Sequence, residues 1–75
     1  MYKNLILSML LKRGPLATKQ IRAIVVYNVK REDAFKEEVL EWLKKQGLIG
    51  STGFLWKKRW HITRRGRLWL QDFGN

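Results

Sequence analysis

The chain has 75 residues, 45% of them hydrophobic, with four tryptophans and no cysteine. That length allows one domain with a small core, and the apolar content argues against disorder. The lack of cysteine excludes disulfide staples and Cys-based zinc sites and fits a reducing interior, while a net charge of +10 favours polyanions, nucleic acid before an anionic membrane.

Residues 2–13 predict a first helix. Tyr2, Leu5, Ile6, Met9 and Leu10 fall on one broad face, and Leu7 and Leu11 lie one turn apart on the other side. Those two leucines are either surface positions in contact with solvent or the chain's own C-terminus, or part of a dimer seam. The apolar run Leu5–Leu11 meets Lys12-Arg13 at once and lacks a small-residue cleavage site, so it reads as a packed helix and not as a signal peptide. No stretch approaches the ~20 apolar residues that span a bilayer.

Gly14-Pro15 ends this helix. Thr18 suits the N-cap of a second short helix, Lys19 to Val26 or Tyr27, with Ile21, Ile24 and Val25 as its apolar face. Asn28 suits a left-handed turn and Val29 an apolar plug, so a third helix is expected from near Arg31. Within Asp33–Ile49, Phe35, Val39 and Leu43 recur every four residues, and acids precede lysines as the helix dipole prefers. Gly47 sits where a left-handed C-cap belongs, and Leu48 and Ile49 open a strand.

Gly50-Ser51-Thr52-Gly53 is loop-like, and Phe54–Ile62 then alternates, with Phe54, Trp56, Lys58, Trp60 and Ile62 on one face. A small hairpin is expected, its turn near Gly53 or nearer Lys57, with Trp60 in the core. Thr63 caps a last helix, Arg64 to Phe73, that packs through Trp69, Leu70 and Phe73.

The resemblance that emerges is to the winged helix-turn-helix superfamily. It is carried by Ile6–Leu10 before Gly14-Pro15-Leu16, by Thr18-Lys-Gln-Ile21, by Val39-x-x-x-Leu43-x-x-x-Gly47-Leu-Ile49, and by Trp60-His-Ile-Thr63-Arg-Arg-Gly66-Arg67. The last is similar to the closing motif of many small bacterial, archaeal and viral repressors. The resemblance implies one α+β, mostly α domain over residues 1–75, with three helices, a short β-hairpin wing and a C-terminal helix. It also implies a double-stranded DNA partner, with the third helix in the major groove and the wing on the backbone or minor groove. The expected location is the cytoplasm, on DNA, and in a host cell if the source is a virus or mobile element.

Charge complicates that picture. Residues 1–31 carry seven basic side chains and no acid, residues 32–46 carry five acids against three lysines, and residues 47–75 are basic again. The expected base-reading positions, near Asp33, Ala34, Lys36, Glu37 and Glu38, are mostly acidic, which phosphate repels. Either the third helix enters by a basic N-terminus, through Lys30, Arg31 and Lys36, or it faces solvent or a protein. In the second case the wing and the first two helices hold DNA.

Thr18, Lys19, Gln20 and Arg22 on the second helix, Lys57, Lys58 and Arg59 on the wing, Trp56, which either packs under the wing or touches sugar, and Arg64 beyond it complete the candidate DNA-binding set. Glu37, Glu38 and Glu41 are the candidate protein-docking face. Leu7, Leu11, Trp69 and Phe73 are the candidate homodimer seam, since dimers read paired half-sites. Catalysis has little support. His61 is the only histidine, the glutamates suit helix ends and i,i+4 pairing with Lys45, and no Gly-rich phosphate loop is present, so neither cofactor nor metal is expected. Three functions follow: a sequence-specific regulator, a protein-docking module, or a non-specific nucleic-acid accessory protein.

Overall fold

The computed structural model describes residues 3–54 and 57–73; Trp56 lies outside them, as does the side chain of Phe73. The described chain is α+β and mostly helical, in the order α1 (Lys3–Arg13), α2 (Thr18–Val29), α3 (Glu37–Lys45), β1 (Ile49–Thr52), β2 (Arg59–Ile62) and α4 (Arg64–Phe73). The strands form an antiparallel hairpin in which Ile49 faces Ile62 and Thr52 faces Arg59. Leu16 adds a short third segment, exchanging backbone hydrogen bonds with Trp60 at 3.0 and 2.7 Å. No helix among the described residues is long and apolar enough to cross a membrane.

The first helix is apolar on two sides because it packs against α2, β2 and α4. Ile6, Leu7, Met9 and Leu10 are all buried, and Leu7 has no exposed surface. Leu7 is therefore a core residue and not part of a dimer seam; full burial of such a side chain contributes about 1.5–3 kcal/mol. The other candidate seam residues scatter. Leu11 is 48% exposed. Trp69 is half-buried and its indole N–H donates to Asn4 Oδ1 at 3.2 Å, which holds α4 to α1.

Two helix boundaries differ from those the sequence predicts. The second helix is capped by Ala17, which has no side-chain acceptor, so Gln20 reaches back and accepts the Ala17 N–H at 2.9 Å. It then runs through Asn28, whose side-chain amide donates to Ile24 O at 2.8 Å. Lys30, at φ 64°, takes the left-handed position instead of Asn28, and Val29 is 41% exposed and plugs nothing.

The third helix starts at Glu37, six residues later than expected. In the connection Arg31 Nε lies 3.3 Å from Asp33 Oδ1, an exposed pair. The apolar plug is Phe35, 7% exposed, two residues before the helix, and Leu40 lies four residues into it. These are the paired positions of a hydrophobic staple. Leu40 and Leu43 supply the buried face, while the ends of Glu41 and Lys45 do not reach ion-pair distance.

The predicted long strand over residues 54–62 is short. Gly53, at φ 86°, turns the chain out of β1, so pairing stops at Thr52–Arg59, and Gly53, Phe54, Lys57 and Lys58 are the described residues of the tip. Phe54 is 77% exposed, and Lys57 N–H donates to Phe54 O at 3.0 Å. Trp60 is buried as expected, at 3% exposure.

The neck of the hairpin is clasped. Gly47, at φ 78°, ends the turn after α3, and its carbonyl accepts the Thr63 hydroxyl at 2.6 Å. The Leu48 carbonyl accepts Thr63 N–H at 3.1 Å, and the same hydroxyl oxygen caps α4 by accepting Gly66 N–H at 3.1 Å. One threonine thus ties the entry of β1 to the exit of β2.

Candidate nucleic-acid interface

Burial of Ile21 and Val25 fixes which side of α2 faces outward. At 100° per residue, Lys19, Ala23 and Val26 share the outer side, with Arg22 at its margin, and Lys30 follows as the left-handed C-cap. Lys19, Arg22, Ala23, Val26 and Glu32 line a shallow depression of about 440 Å³. The Arg22 guanidinium carbon lies 5.8 Å from the centre of the Phe35 ring, so its charge stands over the connection to α3. Tyr27 stands beside this surface, 80% exposed. The outer side of α2 is thus cationic, with Glu32 the one carboxylate lining its depression.

Thr18 and Gln20 do structural work at the start of this helix. Thr18 is half-buried and its Oγ1 accepts the Trp60 indole N–H at 2.8 Å. Gln20 uses its carbonyl as the cap and is otherwise exposed. Lys19, between them, points its charge to solvent.

The hairpin tip carries Lys57, Lys58 and Arg59. The Lys58 ammonium stands 4.4 Å from the centre of the Trp60 ring, a cation–π contact worth about 0.5–1 kcal/mol at an exposed site. Lys44 of α3 approaches the same ring at 6.0 Å and donates to Ser51 Oγ at 3.2 Å. Arg59 Nη1 donates to Lys58 O at 3.1 Å. Trp60 is therefore a joint: its backbone pairs with Leu16, its N–H holds Thr18, and two ammonium groups attend its ring. The start of α2 and the basic tip are attached to one buried side chain.

Sequence reasoning missed Lys44 in this cluster. Its periodicity marks it as a solvent position on α3, and only the hairpin register brings Ser51 and Trp60 within its reach. His61 is half-buried and lies across Gly50, where an added Cβ would come within 2.7 Å of its Nε2.

The acidic helix stands apart. Glu37, Glu38 and Glu41 are exposed, and with Leu40 and Leu43 inward the outer face of α3 centres on Glu38, Glu41, Trp42 and Lys45. Lys3 Nζ lies 4.0 Å over the Trp42 ring. Asp33 and Ala34, expected as base-reading positions, are not helical. Of the cations expected at the start of this helix, Lys30 belongs to the end of α2, Arg31 pairs with Asp33, and Lys36 is the exposed N-cap. Arg64 lines a different surface, a groove formed with Leu11, Arg67, Leu68 and Gln71.

Compared with protein-family models, curated proteins and solved structures, the chain has no significant match.

Proposed function

We propose that the chain is a sequence-specific double-stranded DNA-binding protein of winged helix type, a small transcription regulator, that meets DNA through α2 and the hairpin tip. The order of helices, with Leu16 paired to the hairpin between the first two, supports the winged helix reading. The observation that carries the DNA reading is the Trp60 joint, which holds two cationic surfaces in one fixed relation. Preset spacing lets phosphate contacts orient a helix toward base edges. The acidic outer face of α3 is an unsuitable neighbour for phosphate, so α2 takes the groove-facing role that the family resemblance gives to the third helix.

Selection from a random duplex library at about 150 mM salt tests this, because unspecific phosphate attraction is partly screened there. Enrichment of one site is expected. Uniform, salt-sensitive retention without enrichment would overturn sequence specificity and leave a general accessory role.

A second reading, docking to a protein, is favoured by the exposed acidic face of α3. Reversing Glu37, Glu38 and Glu41 to lysine separates the two. DNA binding should hold or strengthen, and its loss in a folded variant would make these acids base-reading groups.

A further inference from the structure

The outward arc of α4 does not look like the surface of a solitary domain. Leu68 is 51% exposed and Leu11 of α1 is 48% exposed, and together with Arg64, Arg67 and Gln71 they line a groove of about 410 Å³. Neither arginine side chain has an ion-pair or hydrogen-bond partner among the described residues. A groove with two leucines and two unpaired guanidinium groups fits a helix that is acidic and partly apolar.

This chain has one such element. The outer face of α3 presents Glu38 and Glu41 with Lys45 and Trp42, which is 40% exposed and carries the Lys3 ammonium 4.0 Å over its ring, and Glu37 stands at the margin. These glutamates also have no ion-pair partner among the described residues. A chain cannot fill its own groove. Trp42 shares a small notch with Arg65 and Trp69 on the inner flank of α4, whereas Arg64 and Leu68 face outward.

We propose that copies of the chain associate head to tail, the outer face of α3 of one seated in the α1–α4 groove of the next. Charge complementarity selects the occupant: Glu37, Glu38 and Glu41 of α3 are half of the six acids in a chain of net charge +10. The two patches differ, so the contact is heterologous and each bound copy leaves one of each free. The series extends past a dimer, unlike a two-fold seam. The groove is smaller than a standard interface, so each contact is weak. This inference does not rest on the DNA reading and is tested without DNA.

The experiment is sedimentation equilibrium of the full chain at about 50 mM salt up to roughly 1 mM protein, where weak charged contacts are least screened. The average mass of wild type should pass that of a dimer and fall back as salt is raised. Glu38→Lys/Glu41→Lys and Arg64→Glu/Arg67→Glu should each weaken association by about ten-fold or more. One makes the chain more basic and the other less, so general repulsion cannot account for both effects.

An equimolar mixture of the two variants retains one intact groove and one intact α3 face. The two reversed patches also complement each other in sign, so the mixture should associate past a dimer as wild type does, which also shows that both variants are folded. A wild type that stays monomeric or stops at a dimer overturns the proposal. So do variants that associate like wild type, or a mixture that stays monomeric.

Discussion

The indole N–H of Trp60 donates to the hydroxyl of Thr18 across 42 positions of sequence, at 2.8 Å. Trp60 is 3% exposed, so this N–H has little access to solvent if the hydroxyl is removed. Thr18→Val keeps the shape and deletes the acceptor, and a buried donor left unpaired costs about 1–3 kcal/mol. Urea denaturation should show that loss, while Thr18→Ser should recover most of it. An unchanged midpoint for Thr18→Val would mean that the joint is not held by this bond.

Salt dependence distinguishes the cationic surfaces from the acidic one. Neutralising Lys57, Lys58 and Arg59 should reduce the slope of log affinity against log salt by roughly one unit for each phosphate no longer neutralised. Lys19→Ala/Arg22→Ala should do the same on α2. Glu37→Gln/Glu38→Gln/Glu41→Gln should leave affinity equal or higher. If the tip variants keep the wild-type slope, the hairpin is not a DNA-contacting wing.

Leu7 and Leu11 stand one turn apart on α1 and should respond oppositely to truncation. Leu7→Ala removes a fully buried side chain and should cost about 2–5 kcal/mol. Leu11→Ala should change thermal stability by less than about 0.5 kcal/mol. A mild Leu7→Ala would return Leu7 to the surface set.

Gly66 lies in α4, where alanine is ordinarily preferred by about 1 kcal/mol. Here an added Cβ would run into the Leu48 carbonyl and come within 2.7 Å of Ile62 Cγ1. Gly66→Ala should therefore destabilise, by about 1–3 kcal/mol as overpacking does. A melting temperature at or above wild type would show that α4 shifts away freely.

Lys30 holds a left-handed backbone at φ 64°. Glycine has no Cβ to strain there, and relief of a left-handed side chain is worth about 1 kcal/mol. Lys30→Gly should raise the denaturation midpoint while removing one cation from the end of α2. A lowered midpoint would mean that the lysine side chain holds the turn.

What is legible in the sequence is chemistry confined to one turn of chain. Gly47 before Leu48-Ile49, Thr63 before α4 and the burial of Trp60 all follow from local patterns that the fold obeys. The start of α3 is not legible, because Phe35, Val39 and Leu43 keep helical spacing across a residue that is not helical. A staple residue and a helical residue leave the same periodic mark. Leu7 misleads because an amphipathic helix is assumed to have one partner face, and α1 has neighbours on two sides. The tip reads as strand because alternation at Phe54–Ile62 says nothing of where β1 ends. Of the candidate interface, charges on α2 and the tip are visible, but the joint between them depends on a tryptophan and a threonine distant in sequence.

The clasp at Thr63 divides the labour of the hairpin. Gly47, Leu48 and Thr63 close its neck with two hydrogen bonds, and β1 and β2 add their own ladder before the tip begins. Loop closure entropy rises only slowly with length once the ends are held. The length of the loop beyond Thr52 can therefore change with little effect on the neck, so long as Lys58 keeps its place over Trp60. The tip is then the part that a chain of this fold can vary while its framework stays as it is.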